Sequence, residues 1–241
     1  MIKFFRKIRQ SLLAENKFSK YLIYAIGEIV LVVIGILIAL QINNWKENRK
    51  NSIFERKVIR ELSVDVSEDL KEMRSALDTL EKSQRSSIIL EHLLENRTEY
   101  HDSLNEHFAH ALRLWSLSPN NTAFEMAKVE GMYLITNDSV RFYSSKVNGY
   151  LLDYIRVLED RFENYKSAVV LPHIQPLFNS YGFITMRPIN YDELIEDKTY
   201  LSIIRSIFSM RARYINALNI RYKWTSNLDS LIKEEMEKSN I

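Results

Sequence analysis

The chain has 241 residues, 27% of them charged, with a net charge of +2; the residues beyond position 50 suffice for one domain with a real core. It contains no cysteine, which excludes disulfides, thiolate metal sites and cysteine nucleophiles. Five glycines and four prolines are too few for a sheet-rich fold with many tight turns, so long helices are expected.

Residues 1–20 read as a short amphipathic basic tail. Phe4, Phe5, Ile8 and Leu12 fall on one arc, and Lys3, Arg6, Lys7 and Arg9 supply charge for anionic lipid headgroups. Residues 1–50 carry nine Lys/Arg against three Glu, which leaves 24 basic and 28 acidic residues over 51–241. The basic excess therefore lies beside the apolar block that follows. The mildly acidic remainder shows no basic stripe and argues against nucleic acid as a partner.

Residues 21–41 form the expected transmembrane helix, YLIYAIGEIVLVVIGILIALQ. Twenty helical residues at about 1.5 Å each cover roughly the 30 Å hydrocarbon core of a bilayer. Tyr21 and Tyr24 mark one interface and Trp45 the other. No second block of this kind follows, so a single crossing is expected. The block is too long for a cleaved signal peptide, and Ala39-Leu40-Gln41 is a poor cleavage site. Orientation is weakly marked, because residues 1–20 and 46–60 each contain six Lys/Arg. The short N-terminal tail with one acid, Glu15, favours an N-terminus in the cytoplasm and an exported distal domain.

Glu28 is the one charge in the block. Gly27, Gly35 and Ala39 lie close to its face, and Gly35 with Ala39 makes a small-xxx-small pair. Small residues let two helices approach closely, and a carboxyl shared between them would hydrogen-bond across the pair. The alternatives are an inert acid near the headgroups and proton or ion handling.

Residues 42–97 are expected to continue as a stalk helix, on the order of 110 Å long together with the span. Ile59, Leu62, Val66, Met73, Leu77 and Leu80 follow 3–4 spacing, with Ile88 continuing the seam. Glu61, Asp65, Glu68, Lys71 and Arg74 are expected to face solvent. Residues 98–241 are expected to form a helical bundle completed by the stalk. Its elements are a helix at about 99–115, ended by Pro119, and a short helix with a Thr122/Glu125 capping box and Gly131 as C-cap. A long helix at about 138–171 follows, capped by Asn137 or Asp138 and stopped by Pro172. After an irregular connection with another capping spacing at Asn190 and Glu193 comes a last helix at about 198–237. Its seam reads Ile204, Phe208, Ile215, Leu218, Tyr222 and Ile232, with heptad-like spacing as in a coiled coil. The fold class is thus all-α: one N-terminal transmembrane helix continuing into a stalk and an antiparallel bundle.

Chemistry-bearing motifs are sparse. Asp102, Glu106 and His110, spaced by four, are the best metal candidate, but carboxylates beside histidines are common on wet helices and no metal is expected. Tyr143, Tyr150, Tyr154 and Tyr165 read as bundle core with hydroxyls at the rim. There is no phosphate-binding glycine loop and no nucleophile elbow. No cofactor, small-molecule substrate or enzymatic activity is expected.

The block AIGEIVLVVIGILIALQINNW, within the run from Met1 to Lys50, closely resembles the N-terminus of a family of uncharacterised single-pass membrane proteins of Bacteroidota, a domain of unknown function. TAFEMAKVEGMYLITNDSVRFYSSKVNGYL is similar to that family's middle region. The resemblance implies a bacterial inner-membrane helical protein with a periplasmic domain, and carries over no activity or ligand. Three readings follow. The first is a membrane-anchored interaction or scaffold protein that self-associates or holds a membrane partner. The second is an extracytoplasmic sensor or regulator acting through a partner. The third is a proton-coupled energy-transducing subunit that uses Glu28.

Overall fold

A computed structural model describes residues 18–182 and 184–239. Lys3, Arg6, Lys7 and Arg9 lie outside the described residues, as do the side chains of Tyr21 and Tyr24. The described residues are all-α, with one isolated bridge between Phe178 and Pro188 as the only extended pairing among them. The chain divides into two compact units, Met1–Phe54 and Glu55–Ile241.

Helix α1, Phe18–Asn96, is 79 residues long and contributes to both units. Neither Gly nor Pro interrupts residues 36–96, so nothing in the backbone stops it. It ends where Arg97 takes a left-handed conformation (φ 50°) and the Thr98 N–H returns to the Leu93 carbonyl at 3.2 Å.

In the first unit, an 18-residue window of α1 has a mean hydropathy of 2.6, and none of it is buried inside the protein. A core helix of the same apolarity would be mostly covered. This helix is long and apolar enough to cross a membrane.

The second unit begins at Glu55, and burial along α1 starts at Val58 and Ile59. The remaining elements are α2 (Leu104–Ala111), α3 (Thr122–Glu130), a 3-10 turn (Met132–Leu134), α4 (Asp138–Ser145), α5 (Leu152–Tyr165), α6 (Leu171–Ile174), α7 (Tyr191–Glu196) and α8 (Lys198–Lys238). Two π turns, Lys146–Leu151 and Lys166–Val170, join α4, α5 and α6 into one helical path. The second sits just before Pro172, whose missing N–H and bulky ring are incompatible with an unbroken α-helix. Widening the turn lets the path run on to Ile174. The helical path therefore runs through Pro172 to Ile174 rather than stopping before it.

Helix α8 runs antiparallel to α1. Glu91 and Glu95 meet Arg205, Ser83 meets Arg211 and Asp69 meets Arg221, so numbers fall on one helix as they rise on the other. The buried seam of α8 is Ile204, Ile207, Arg211, Tyr214, Leu218, Arg221, Thr225, Leu228 and Ile232, in strict three–four alternation. That of α1 is Ile59, Leu62, Val66, Asp69, Met73, Ala76, Leu80, Ser83, Ser87, Leu90 and Leu94. The expected α1 seam holds at Ile59, Leu62, Val66, Met73 and Leu80, but Leu77 is only partly buried beside Ala76, and Ile88 is 52% exposed. Asp65, expected in solvent, is buried. On α8 the expected Phe208, Ile215 and Tyr222 are only partly buried, flanking the true seam.

The termini of the shorter helices follow local chemistry. Asn137 accepts from the Ser139 and Val140 N–H groups, Asn190 from those of Asp192 and Glu193, and Asp197 from those of Thr199 and Tyr200. Gly131 closes α3 with φ 122°, a conformation that disfavours any side chain, and a Cβ there would strike the Tyr133 ring. The Thr122/Glu125 capping box does not form. The N-cap of α3 is Asn121, without a side-chain bond, and Thr122 bonds instead to Asn120.

Candidate functional site

The first unit presents an uncovered apolar helix with small residues on it. Ile26, Ile29, Leu31 and Leu37 are exposed, as are Gly27, Gly35 and Ala39, while Glu28 is half-buried. A Cβ built at Gly27 or Gly35 meets nothing within 4 Å, so packing inside the described chain does not require glycine at either position. Helix-interior glycine costs about 1 kcal/mol relative to alanine. Trp45 is exposed, with the Arg49 guanidinium 5.8 Å from its ring centroid.

The second unit is held by polar groups in the middle of its apolar seam. Arg211 is fully buried. Its guanidinium donates to the carbonyls of Ser83, Ala111 and Arg113, the Gln84 side chain and the Ser87 hydroxyl, at 2.6–3.3 Å. Burial without a carboxylate partner pushes its pKa down to about 9. The Ala111 and Arg113 carbonyls lie at and just beyond the C-terminal end of α2, where helical carbonyls lose their internal donors. Arg211 thus serves as a remote C-cap, and α2 ends eight residues before Pro119, the stop expected from sequence.

Arg221 is equally buried. It donates to Asp69 at 2.6 Å, to Met73 sulfur at 3.3 Å and, at 3.4 Å, to the Val147 carbonyl inside the first π turn. A π turn leaves a backbone carbonyl without its usual donor, and the guanidinium supplies one. Burial pushes the Asp69 carboxyl up, and the Arg221 charge pulls it back. Tyr214 donates to Glu159 at 2.6 Å, and burial followed by this bond raises its pKa.

Between α2 and α4 the chain travels back along α1, and carboxylates catch its backbone. The Ser118 N–H donates to Glu72 at 2.9 Å, that of Ala123 to Asp65 at 3.1 Å, and both the N–H and hydroxyl of Thr136 to Glu55 at 2.6 Å. The Leu117 N–H meets Glu159 of α5 at 2.8 Å. Ala123 lies in the first turn of α3, so Asp65 caps that helix from a neighbour, and burial raises its pKa.

The metal candidates do not come together. Asp102 lies in the turn before α2 and accepts from the Tyr100 hydroxyl, so it does not share a helical face with Glu106 and His110. Burial, then the nearby Arg113, lowers the His110 pKa. Among the described residues no group of three His, Asp or Glu side chains is placed to hold a metal. Ser86 and His107 approach to 3.1 Å, but Ser86 is buried. Tyr143 and Tyr165 are partly buried, whereas Tyr150 and Tyr154 are 64% and 48% exposed, contrary to their expected place in the core.

One cleft opens between α5 and α8. Leu114, Leu158, Phe162, Met210 and Tyr214 form its apolar wall, and Arg161 and Arg213 line it with charge. Sequence reading missed this cleft, because each arginine looks like an ordinary surface residue of an amphipathic helix.

Residues 28–212 match the model described as a family of unknown function (DUF6090). No curated protein and no solved structure matches the chain.

Proposed function

The chain belongs to the family of unknown function DUF6090, and from that premise we propose that it is a membrane-anchored helical interaction protein that associates with itself. One observation carries the reading: α1 holds Gly27 and Gly35 at exposed positions with open space around both, on a helix apolar enough to span a bilayer. Within a single chain these glycines only weaken the helix. Against a second copy they let backbones approach closely, with Ala39 extending the contact and the Glu28 carboxyl bonding across it. The basic tail lies in the cytoplasm of a bacterial cell, α1 crosses the inner membrane once, and the bundle is periplasmic. The bundle is a binding body rather than a catalyst, and its partners are another copy of the chain or a membrane protein. Cysteine crosslinking in native membranes from positions on the Gly35 face tests the reading. Dimers formed from that face and not from the opposite one are expected; a chain that stays monomeric from every position refutes it.

Glu28 alone favours a second reading, a proton-coupled subunit, since an acid within a span is costly unless used. Glu28→Gln abolishing proton flux through a reconstituted complex would support that reading, and unchanged flux would end it.

A further inference from the structure

We propose that the cleft between α5 and α8 binds a small aliphatic carboxylate. The cavity measures about 40 Å³. A single water needs on the order of 10–15 Å³ of such space, so the enclosed part takes a group of a few heavy atoms. Its wall is hydrocarbon from Leu114, Leu158, Phe162 and Met210, which rewards an apolar group and gives a buried polar one little to bond. Tyr214 adds no free donor, because its hydroxyl is committed to Glu159, whose carboxylate also holds the Leu117 N–H.

The charged residues that line the cleft are both arginines, and the Glu159 carboxylate is engaged by Tyr214 and the Leu117 N–H. Arg161 reaches it from α5 and Arg213 from α8, and both are exposed. Arg205 is paired with Glu91 and Glu95, and Arg221 with Asp69, but neither Arg161 nor Arg213 has a carboxylate partner among the described residues. Guanidinium groups bind carboxylates through paired N–H donors. An anion with a short hydrocarbon part satisfies both halves of the cleft, with carbons against the apolar wall and the carboxylate across the two arginines. Phosphate has no apolar part to use the wall. An acidic protein segment would engage the arginines but needs more apolar surface than one small cavity offers.

Occupancy would tie α5 to α8 and to the Leu114 connection. A bound ligand therefore stabilises the bundle and gives it a means of reporting a small molecule. This inference stands apart from self-association: crosslinking reads the one, ligand titration the other.

The test uses the full chain in detergent with isobutyrate as probe and isobutyramide as its neutral match, read by saturation-transfer NMR and by the thermal midpoint. Saturable isobutyrate binding at about millimolar Kd is expected, with a raised midpoint and no response to isobutyramide. Arg161→Gln and Arg213→Gln, both at exposed positions, should each weaken binding at least fivefold without changing the circular dichroism spectrum, and the double variant should abolish it. Absence of saturable binding overturns the proposal, as do equal binding of isobutyramide and a Kd indifferent to both substitutions. Binding of a hexaglutamate peptide without binding of isobutyrate also overturns it, and reassigns the arginines to an acidic protein segment.

Discussion

Arg221 Nη2 of α8 lies 2.6 Å from Asp69 Oδ2 of α1, and the two side chains are 1% and 5% exposed. Both occupy seam positions that apolar residues normally fill. Burying such a pair gains little over hydrocarbon, but removing one partner leaves an uncompensated charge, at a cost of about 3–5 kcal/mol. Asp69→Ala should lower stability by that amount, whereas Asp69→Leu combined with Arg221→Met should recover most of it. Urea unfolding followed by far-UV circular dichroism measures both. An unchanged midpoint for Asp69→Ala would show that the pair does not form.

Arg211 gives a different expectation because its partners are mostly backbone carbonyls. Arg211→Met leaves the Ala111 and Arg113 carbonyls without their donor, each unsatisfied group costing about 1–3 kcal/mol, whereas the Ser83 carbonyl keeps the Ser87 hydroxyl. The end of α2 should then fray, seen as faster hydrogen exchange over Leu104–Ala111. Arg211→Lys, with fewer donors and no planar fork, should fall between. Protection of α2 unchanged in Arg211→Met would remove the remote-cap argument.

Helix α3 is capped by a residue from another helix. Asp65→Leu should cost about 1–2 kcal/mol, the range for losing an N-cap acceptor, and should speed exchange at Ala123. Thr122→Ala should cost less than about 0.5 kcal/mol, because its hydroxyl bonds only to Asn120 on the surface. The reverse ranking would restore the capping box read from sequence.

Asp65 also sets a pH signature. Its carboxyl is pushed above the ordinary value of 3.8 by burial, so the folded state holds that proton more tightly than the unfolded chain. The resulting stabilisation is complete below 3.8 and is lost as pH rises through the higher folded-state value. The stability of the native chain relative to Asp65→Asn should therefore grow on acidification from neutral pH toward about 4. Paired thermal melts across that range give the sign, and a difference that shrinks on acidification contradicts the assignment.

Gly35→Ile tests the span. The substitution fits the open space inside one chain, so the helix itself should be retained. A helix pair in close contact would be forced apart, and crosslinked dimer should drop several-fold. An undiminished yield would place any contact on another face.

Helix boundaries were readable in the sequence at Asn137, Asn190 and Gly131, but not at Pro119 or Pro172, where a distant arginine and a π turn decide the outcome. The α1 seam was readable at Ile59, Leu62, Val66, Met73 and Leu80, and missed at Asp69 and Ala76. It was lost beyond Leu80 because two serines, Ser83 and Ser87, take core positions, where the Ser83 carbonyl and the Ser87 hydroxyl accept from Arg211. The same pair of arginines hid the α8 seam. A reading that keeps arginine out of the core steps sideways to Phe208, Ile215 and Tyr222, each next to a true seam residue. Tyr150 and Tyr154 were misplaced for a geometric reason. The π turn at Lys146–Leu151 adds a residue to the path and rotates every later side chain away from 3.6-residue periodicity. The Arg161–Arg213 cleft was not legible at all, since it exists only once two helices meet.

Thr136 and Asn137 hold both borders of the bundle, Thr136 through Glu55 and Asn137 through Glu235 at 2.6 Å. The last turns of α8 thus lie on the side of the bundle where Glu55 begins it. A bulky label on the exposed Lys238 would stand beside that entrance. The opposite pole, where Arg97 pairs with Glu196, carries neither Glu55 nor Lys238. A probe inserted in the loop after Arg97 would stand clear of both.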